Sequence, residues 1–374
     1  MSMFGSGSTE VSDRVKRLRL VRRWDQSELG RRAGMSPATI SSIEQGRATP
    51  SDDQIEALAS ALGYSRDFLT AELGLIPTTR PWLRAYADAG KREADARTAA
   101  TTVAAEYVRC LKLKPLPDLI PAFDGSLDDD DAIEEFAADV RHLAQIDTDA
   151  VVSNAIRAAE RLGCLVLPLE SELGRHLGMS VRADDLPIMC VAKGQVPGDR
   201  QRWTVAHELG HLALHGDSPP PKNAPEARRM ENQAHRFAGA FLCPADALHE
   251  MFENNPVTLR ALADVKHVWG VAIKALVHRC ESLGIVDPDH ARSLYKQISA
   301  RKWSKQEPVN VPTESAQWFE RTLIRRAEEG DLQAACKRLA SSVGGNAADL
   351  LSFADWTVRD AEVYNLAEHQ NRQN

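Results

Sequence analysis

No two of the six cysteines stand at CxxC spacing. They are dispersed at positions 110, 164, 190, 243, 280 and 336, which suits individual buried residues better than a disulfide framework. Long apolar runs are also lacking. No stretch approaches the length that spans a bilayer, and the opening MSMFGSGSTE has neither the basic start nor the hydrophobic stretch of a secretory signal. The expectation is therefore a cytoplasmic chain with no membrane partner. A positive balance is missing as well: the formal net charge is −7, so any affinity for nucleic acid must rest on local charge. Repeats at a fixed period are absent too, which argues against a solenoid.

What is present describes a globular protein of more than one domain. The 374 residues are 43% hydrophobic and 26% charged, enough to build ordinary cores. Charge is uneven along them. Between Arg14 and Arg47 nine Lys or Arg residues face three acidic ones, whereas Asp124 to Asp139 holds eight Asp or Glu and no Lys or Arg. A basic head, residues 11–76, is thus followed by a helical and acidic connector, 77–131. Within it Ala85 to Leu113 reads as a long helix. The run Asp128 to Asp131 reads as solvated carboxylates, since no ligand spacing accompanies it. A mixed unit follows over 132–299, with strand-like runs at Cys164 to Leu169 and Ile188 to Ala192. Helical patterns occupy Thr204 to Leu214, Pro225 to Leu242 and Gly270 to Leu283. The last part, 300–374, holds a helical extension from Ser315 to Leu351. The expected fold class is mixed and predominantly helical, an all-α head joined to an α+β unit.

The segment DQSELGRRAGMSPATISSIEQGRATP carries its own punctuation. Asp25 caps a helix and Glu28, three residues on, suits a reciprocal capping box; Gly34 stops it. Ser36 followed by Pro37 restarts a second helix, with Ile40 and Ile43 turned inward and Gly46 as the next break. Two short helices about a glycine turn, behind a basic helix, make a DNA-groove reader. Arg14, Lys16, Arg17, Arg22 and Arg23 are candidate phosphate contacts, as is Gln26 at a helix start. Thr39, Ser41, Ser42 and Gln45 are candidates for base edges. The alternative is a protein-interaction module whose arginines are a solvated face.

The sharpest chemical signal is His207-Glu208-Leu209-Gly210-His211. Residues four apart share a helical face, so His207 and His211 can offer nitrogens to one zinc ion, and Glu208 can serve as base toward water at that metal. A third ligand is needed from another element. Glu231 lies within the apolar face traced by Ala227, Met230, Ala234, Phe237, Ala238 and Phe241, where a carboxylate is costly unless paired or metal-bound. It is the best third ligand. His215 and His235 remain candidates, as direct ligands or as partners that orient one.

These motifs carry two family resemblances. Val11 to Leu75, and SSIEQGRATP above all, resembles the lambda-repressor-like, Cro/C1 or XRE class of helix-turn-helix. That resemblance implies a backbone clamp at Gln26, a structural pair between Arg19 and Glu44, and a double-stranded DNA operator read by a homodimer. RQRWTVAHELGHLALH with MENQAHRFAGAFLCP resembles the ImmA/IrrE metallopeptidases over about Asp149 to Ser299, with weaker likeness through EPVNVP. It implies zinc held by His207, His211 and Glu231 with Glu208 catalytic, and a cleft edged by the Ile188 to Ala192 strand, along which a peptide adds as a further strand. Two positions depart from the family: His235 stands where its ExxAN pattern has Asn, and Cys243 where it has Met. The joint expectation is a DNA-binding regulator with a zinc endopeptidase-like domain that cuts a repressor or other regulatory protein. The alternative is a non-proteolytic repressor whose metal domain is structural or senses a ligand or peptide.

Overall fold

The computed structural model describes residues 6–74, 76–79, 91–169, 178–194, 196–216, 218–219, 221–304 and 306–357. Five helices form the head: α1 (Ser6–Val21), α2 (Gln26–Ala33), α3 (Pro37–Glu44), α4 (Asp52–Leu62) and α5 (Arg66–Thr70). Their ends follow the sequence punctuation. The Asp25 side chain accepts from Glu28 N–H at 2.7 Å, and Gly34, at φ 66°, closes α2 in the left-handed conformation that costs glycine least. The capping box expected there is one-sided, because the Glu28 carboxylate turns to Arg31 and Arg32. A complete box forms at Ser51 and Gln54 instead. Ser36 caps α3, with Pro37 in its first turn.

Beyond the head runs α6 (Lys91–Cys110), which ends where Lys112 takes φ 50° and Leu113 N–H reaches back to Val108 O. The helix expected over 85–113 is this one, and 85–90 lie outside the described residues. Then come α7 (Asp130–Leu143) and α8 (Ala155–Arg161). The aspartate run is exposed, as expected of solvated carboxylates, and it also starts α7: Asp129 caps the helix, and Asp130 bonds Arg236 at 2.5 Å. Three strands follow, β1 (Leu165–Leu169), β2 (Gly178–Ala183) and β3 (Leu186–Ala192), in the order β1-β3-β2, with β1 parallel and β2 antiparallel to β3. The strand expected at the cleft edge, Ile188 to Ala192, is therefore central. Both of its edges are occupied, and a peptide has no place beside it. The edge strand on that side is β2, and Thr78 and Thr79 already pair with its Arg182–Ala183 end.

Helices complete the chain: α9 (Gly198–His215), α10 (Ala224–Leu242), α11 (Ala245–Phe252), α12 (Leu259–Trp269), α13 (Ile273–Ser282), α14 (Pro288–Ala300), α15 (Trp318–Ala327), α16 (Leu332–Ser342) and α17 (Ala347–Ser352). Among the described residues no helix is long and apolar enough to cross a membrane. The chain past α14 returns to α9. Gly198 N–H bonds Val311 O at 3.2 Å, and Glu307 and Glu314 enter buried ion pairs with Lys266 and Arg202.

The sheet separates two cores. Val166, Met189 and Val191 face α8 and α9. Leu165, Leu167, Met179, Val181, Ile188 and Cys190 face the opposite way, into one core shared with the head, α6 and α15 to α17. Helix α6 lies between sheet and head, with Val103, Ala104 and Tyr107 fully buried, so it packs within the chain. The C-terminal helices also clasp the head: Ser65 N–H bonds Gly344 O at 2.7 Å, and Asp349 accepts from both Arg22 and Tyr64.

Candidate metal centre and nucleic-acid interface

Helix α9 is buried along most of its length, and HELGH sits where it crosses α10. Gly210 permits that crossing: a Cβ there would stand 3.0 Å from Phe237 and 3.3 Å from the Ala234 backbone. The result brings three donors together. His207 Nε2 and His211 Nε2 are 3.1 Å apart, and the Glu231 carboxylate lies 3.5 Å from the first and 3.6 Å from the second. Donors held about 2.0–2.2 Å from a tetrahedral zinc stand about 3.3–3.6 Å from one another, so the residues fit that ion.

Protonation fits as well. Burial pushes the His211 imidazole down to about 3 and His215 down to about 4, so both rings are neutral. Burial alone would raise Glu231, but hydrogen bonding from the His207 imidazole, first among the effects of its neighbours, holds its carboxyl well below the usual carboxylate range. A hydrogen-bond relay also selects the tautomer of His211. Gln233 gives its amide N–H to Leu127 O at 2.8 Å, and its Oε1 accepts from His215 Nε2 at 3.0 Å. His215 Nδ1 is then an acceptor, and His211 Nδ1, 3.1 Å away, donates to it. The lone pair of His211 is thereby left on Nε2, toward His207 and Glu231.

Glu208 points to the sheet side of α9. Its Oε2 accepts from Ser180 Oγ at 2.7 Å, from the edge strand β2. Burial pushes its carboxyl up to about 7, against the lowering effects of His207 and Ser180. Gly178 lets β2 come this close: a Cβ there would meet Thr204 Cγ2 at 2.4 Å. His235, one turn beyond Glu231 on α10, presents a ring nitrogen within 4.8 Å of donor atoms of His207 and Glu231. Beside these groups opens a cavity of about 1230 Å³, lined among others by Trp203, Thr204, His235, Tyr295, Trp303 and Val309. Sequence reasoning missed Ser180 and Gln233. Gln233 had a signal, since it falls among Met230, Ala234 and Phe237 on the apolar face of α10.

On the head, Arg19 makes a bidentate pair with Glu44 at 2.6 and 2.8 Å. Gln26 bonds the same carboxylate at 2.9 Å. One expected phosphate contact, Arg14, is corrected, and two others, Arg17 and Arg22, stand half-buried in ion pairs. Arg14 is 1% exposed, bonded to Glu106 of α6 and to Leu69 O; Arg17 also pairs with Glu106; Arg22 pairs with Asp349 of α17. The cause is orientation: Arg14 lies among Val11, Val15 and Leu18 on the face of α1 that packs against α6. Lys16 is exposed, and Arg23, also exposed, bonds Glu93 at 3.0 Å. On α3, Thr39 bonds Ser36 at 2.8 Å and Gln45 bonds Ser41 at 2.9 Å, both at the surface, with Ser42 half-buried. Arg47, exposed just past α3, was not among the sequence candidates.

Residues 159–281 match the IrrE N-terminal-like domain family, and residues 10–73 match a helix-turn-helix domain family. No curated protein and no solved structure is matched. The chain thus carries an N-terminal helix-turn-helix domain fused to an IrrE-like domain of the peptidase family.

Proposed function

We propose that this fusion is a DNA-bound regulator whose second half is a zinc-dependent endopeptidase acting on a repressor or other regulatory protein. The observation that carries the reading is the convergence of His207, His211 and Glu231 within 3.1–3.6 Å beside the buried carboxyl of Glu208. Zinc held by those three residues would supply a Lewis acid that polarises a peptide carbonyl and acidifies water. Glu208 takes the proton from the attacking water and returns it to the departing amine. Ser180 steadies the ionised form of that base through its hydroxyl. The cavity reaches the site through Trp203, Thr204 and His235, and none of His207, Glu208, His211 or Glu231 lines it.

Glu231→Gln should weaken zinc retention by more than about 100-fold, beyond the usual cost of losing an outer partner. Chelator competition measures it, and unchanged affinity would remove Glu231 from the ligand set.

The test of function is digestion of a proteome-derived peptide library by the zinc-loaded chain, with and without a chelator. Chelator-sensitive cleavage at defined bonds supports the reading; an intact library overturns it. The second reading, a non-proteolytic repressor with a structural or sensing metal domain, is favoured by one observation. His235 is near enough to suggest a fourth protein ligand, which would close the site.

For the head, the reading is an operator of double-stranded DNA bound by a homodimer through α3. With Arg14, Arg17 and Arg22 engaged inside the chain, phosphate contact falls to exposed cations such as Lys16 and Arg47. Arg47→Ala is expected to weaken binding about equally across sequences and to reduce the salt slope by about 1. Mobility-shift titrations over a salt series read it, and an unchanged slope would place Arg47 off the DNA.

A further inference from the structure

Whether a zinc site can act on an outside molecule depends on how many protein donors it has. Three leave a position open; four close it. His235 makes the count an issue here. It follows Glu231 by one turn and shares its helical face. Its ring centroid is 4.3 Å from that of His207, and one of its nitrogens lies within 4.8 Å of donor atoms of His207 and Glu231.

Trp203 bears on the outcome. It precedes His207 by four residues on α9, so it shares the face of that ligand. Its indole N–H donates to His235 Nδ1 at 3.3 Å, and the two rings stand 6.1 Å apart at 31°. An indole N–H can only donate, so Nδ1 turns its lone pair toward the tryptophan; in the neutral ring the proton then sits on Nε2. Held in this way, neither nitrogen has a lone pair to offer a metal. Coordination by His235 requires the tryptophan bond to be given up and the ring proton to move to the other nitrogen.

We propose that Trp203 is a positioning residue that keeps His235 from becoming a fourth protein ligand, so that the site of His207, His211 and Glu231 keeps one coordination position for an outside ligand. The proposal rests on the metal reading above and is independent of whether any peptide is cut. One hydrogen bond of this kind shifts an equilibrium by about tenfold, so its loss should tip the balance toward the closed, four-donor form. In the open form His235 remains beside the metal as an N–H donor, suited to an oxygen atom bound there.

The experiment uses the full chain loaded with cobalt(II), whose visible absorption reports coordination, and azide as the outside ligand. The wild type should change its spectrum on adding azide. Trp203→Phe should take up cobalt but bind azide about tenfold more weakly, and Trp203→Phe combined with His235→Asn should restore the wild-type affinity. His235→Asn alone should keep its cobalt and respond to azide. A wild type indifferent to azide beside a responsive His235→Asn would overturn the proposal, because His235 would already be a ligand. Equal azide affinity in wild type and Trp203→Phe would overturn it as well. A wild-type chain that takes up no cobalt would sink the metal reading itself, an outcome visible separately from any loss of azide response.

Discussion

Glu208→Gln is expected to lower cleavage of any substrate of the wild type by about 10²–10⁴-fold, the usual contribution of a positioned general base, while zinc stays bound. The amide keeps the shape of the side chain and can still meet Ser180, but it has no basic oxygen to take a proton. Glu208 is not among the donors that converge at 3.1–3.6 Å, so metal content should match the wild type. Mass spectrometry of products, with zinc measured on the same samples, separates the two effects. Full cleavage by the variant would exclude Glu208 as the base. A pH profile adds a sign. The base works as a carboxylate, and burial places its carboxyl up to about 7 before any cation is bound. A cation beside it favours the ionised form and pulls that value down. Activity should therefore rise with pH along an acid limb lying at or below about 7.

Glu106→Ala is expected to destabilise the chain by about 3–5 kcal/mol, because it strands buried charge. Arg14 is 1% exposed, and its guanidinium has Glu106 as its carboxylate partner; Arg17 reaches the same oxygen at 2.5 Å. The alanine takes away the countercharge and leaves both arginines in place. Urea unfolding followed by fluorescence measures the loss. A double replacement with apolar residues of similar size, Arg14→Met with Glu106→Leu, should recover most of it, since no isolated buried charge remains at Arg14. A single variant within about 0.5 kcal/mol of wild type, the ordinary range of surface changes, would mean that water reaches the pair.

How much of this was legible in the sequence depends on whether the signal was local. The caps at Asp25 and Ser36 and the glycine at 34 act within a few residues, and the helices of the head begin and end on them. The HELGH helix is local too, and Glu231 stood out as a carboxylate on an apolar stripe. Arg14 was misread although its signal was present: the buried Val11 and Leu18 lie three and four positions from it, so it belongs to the inward stripe of α1. Counting charges gave its sign without its direction. The place of β3 had a hint of the same kind, since IMCVA is apolar on both alternating faces, as a covered central strand should be. Ser180 had none. Its role depends on β2 pairing outside β3 and on Gly178 letting that strand approach Thr204, relations that no window of sequence contains.

The sheet with a different core on each face also limits how such a protein can be rearranged. A recombination event at the chain between α5 and α6 would look like the exchange of one DNA reader for another. In this chain it would separate Arg14 and Arg17 from Glu106 and Arg22 from Asp349, and strip the cover from Val103 and Tyr107. A new reader would have to bring its own α6, or carry arginines and an apolar stripe already matched to the old one. The head and the half that carries HELGH are thus a fitted pair, and a working hybrid demands changes on both sides of the seam.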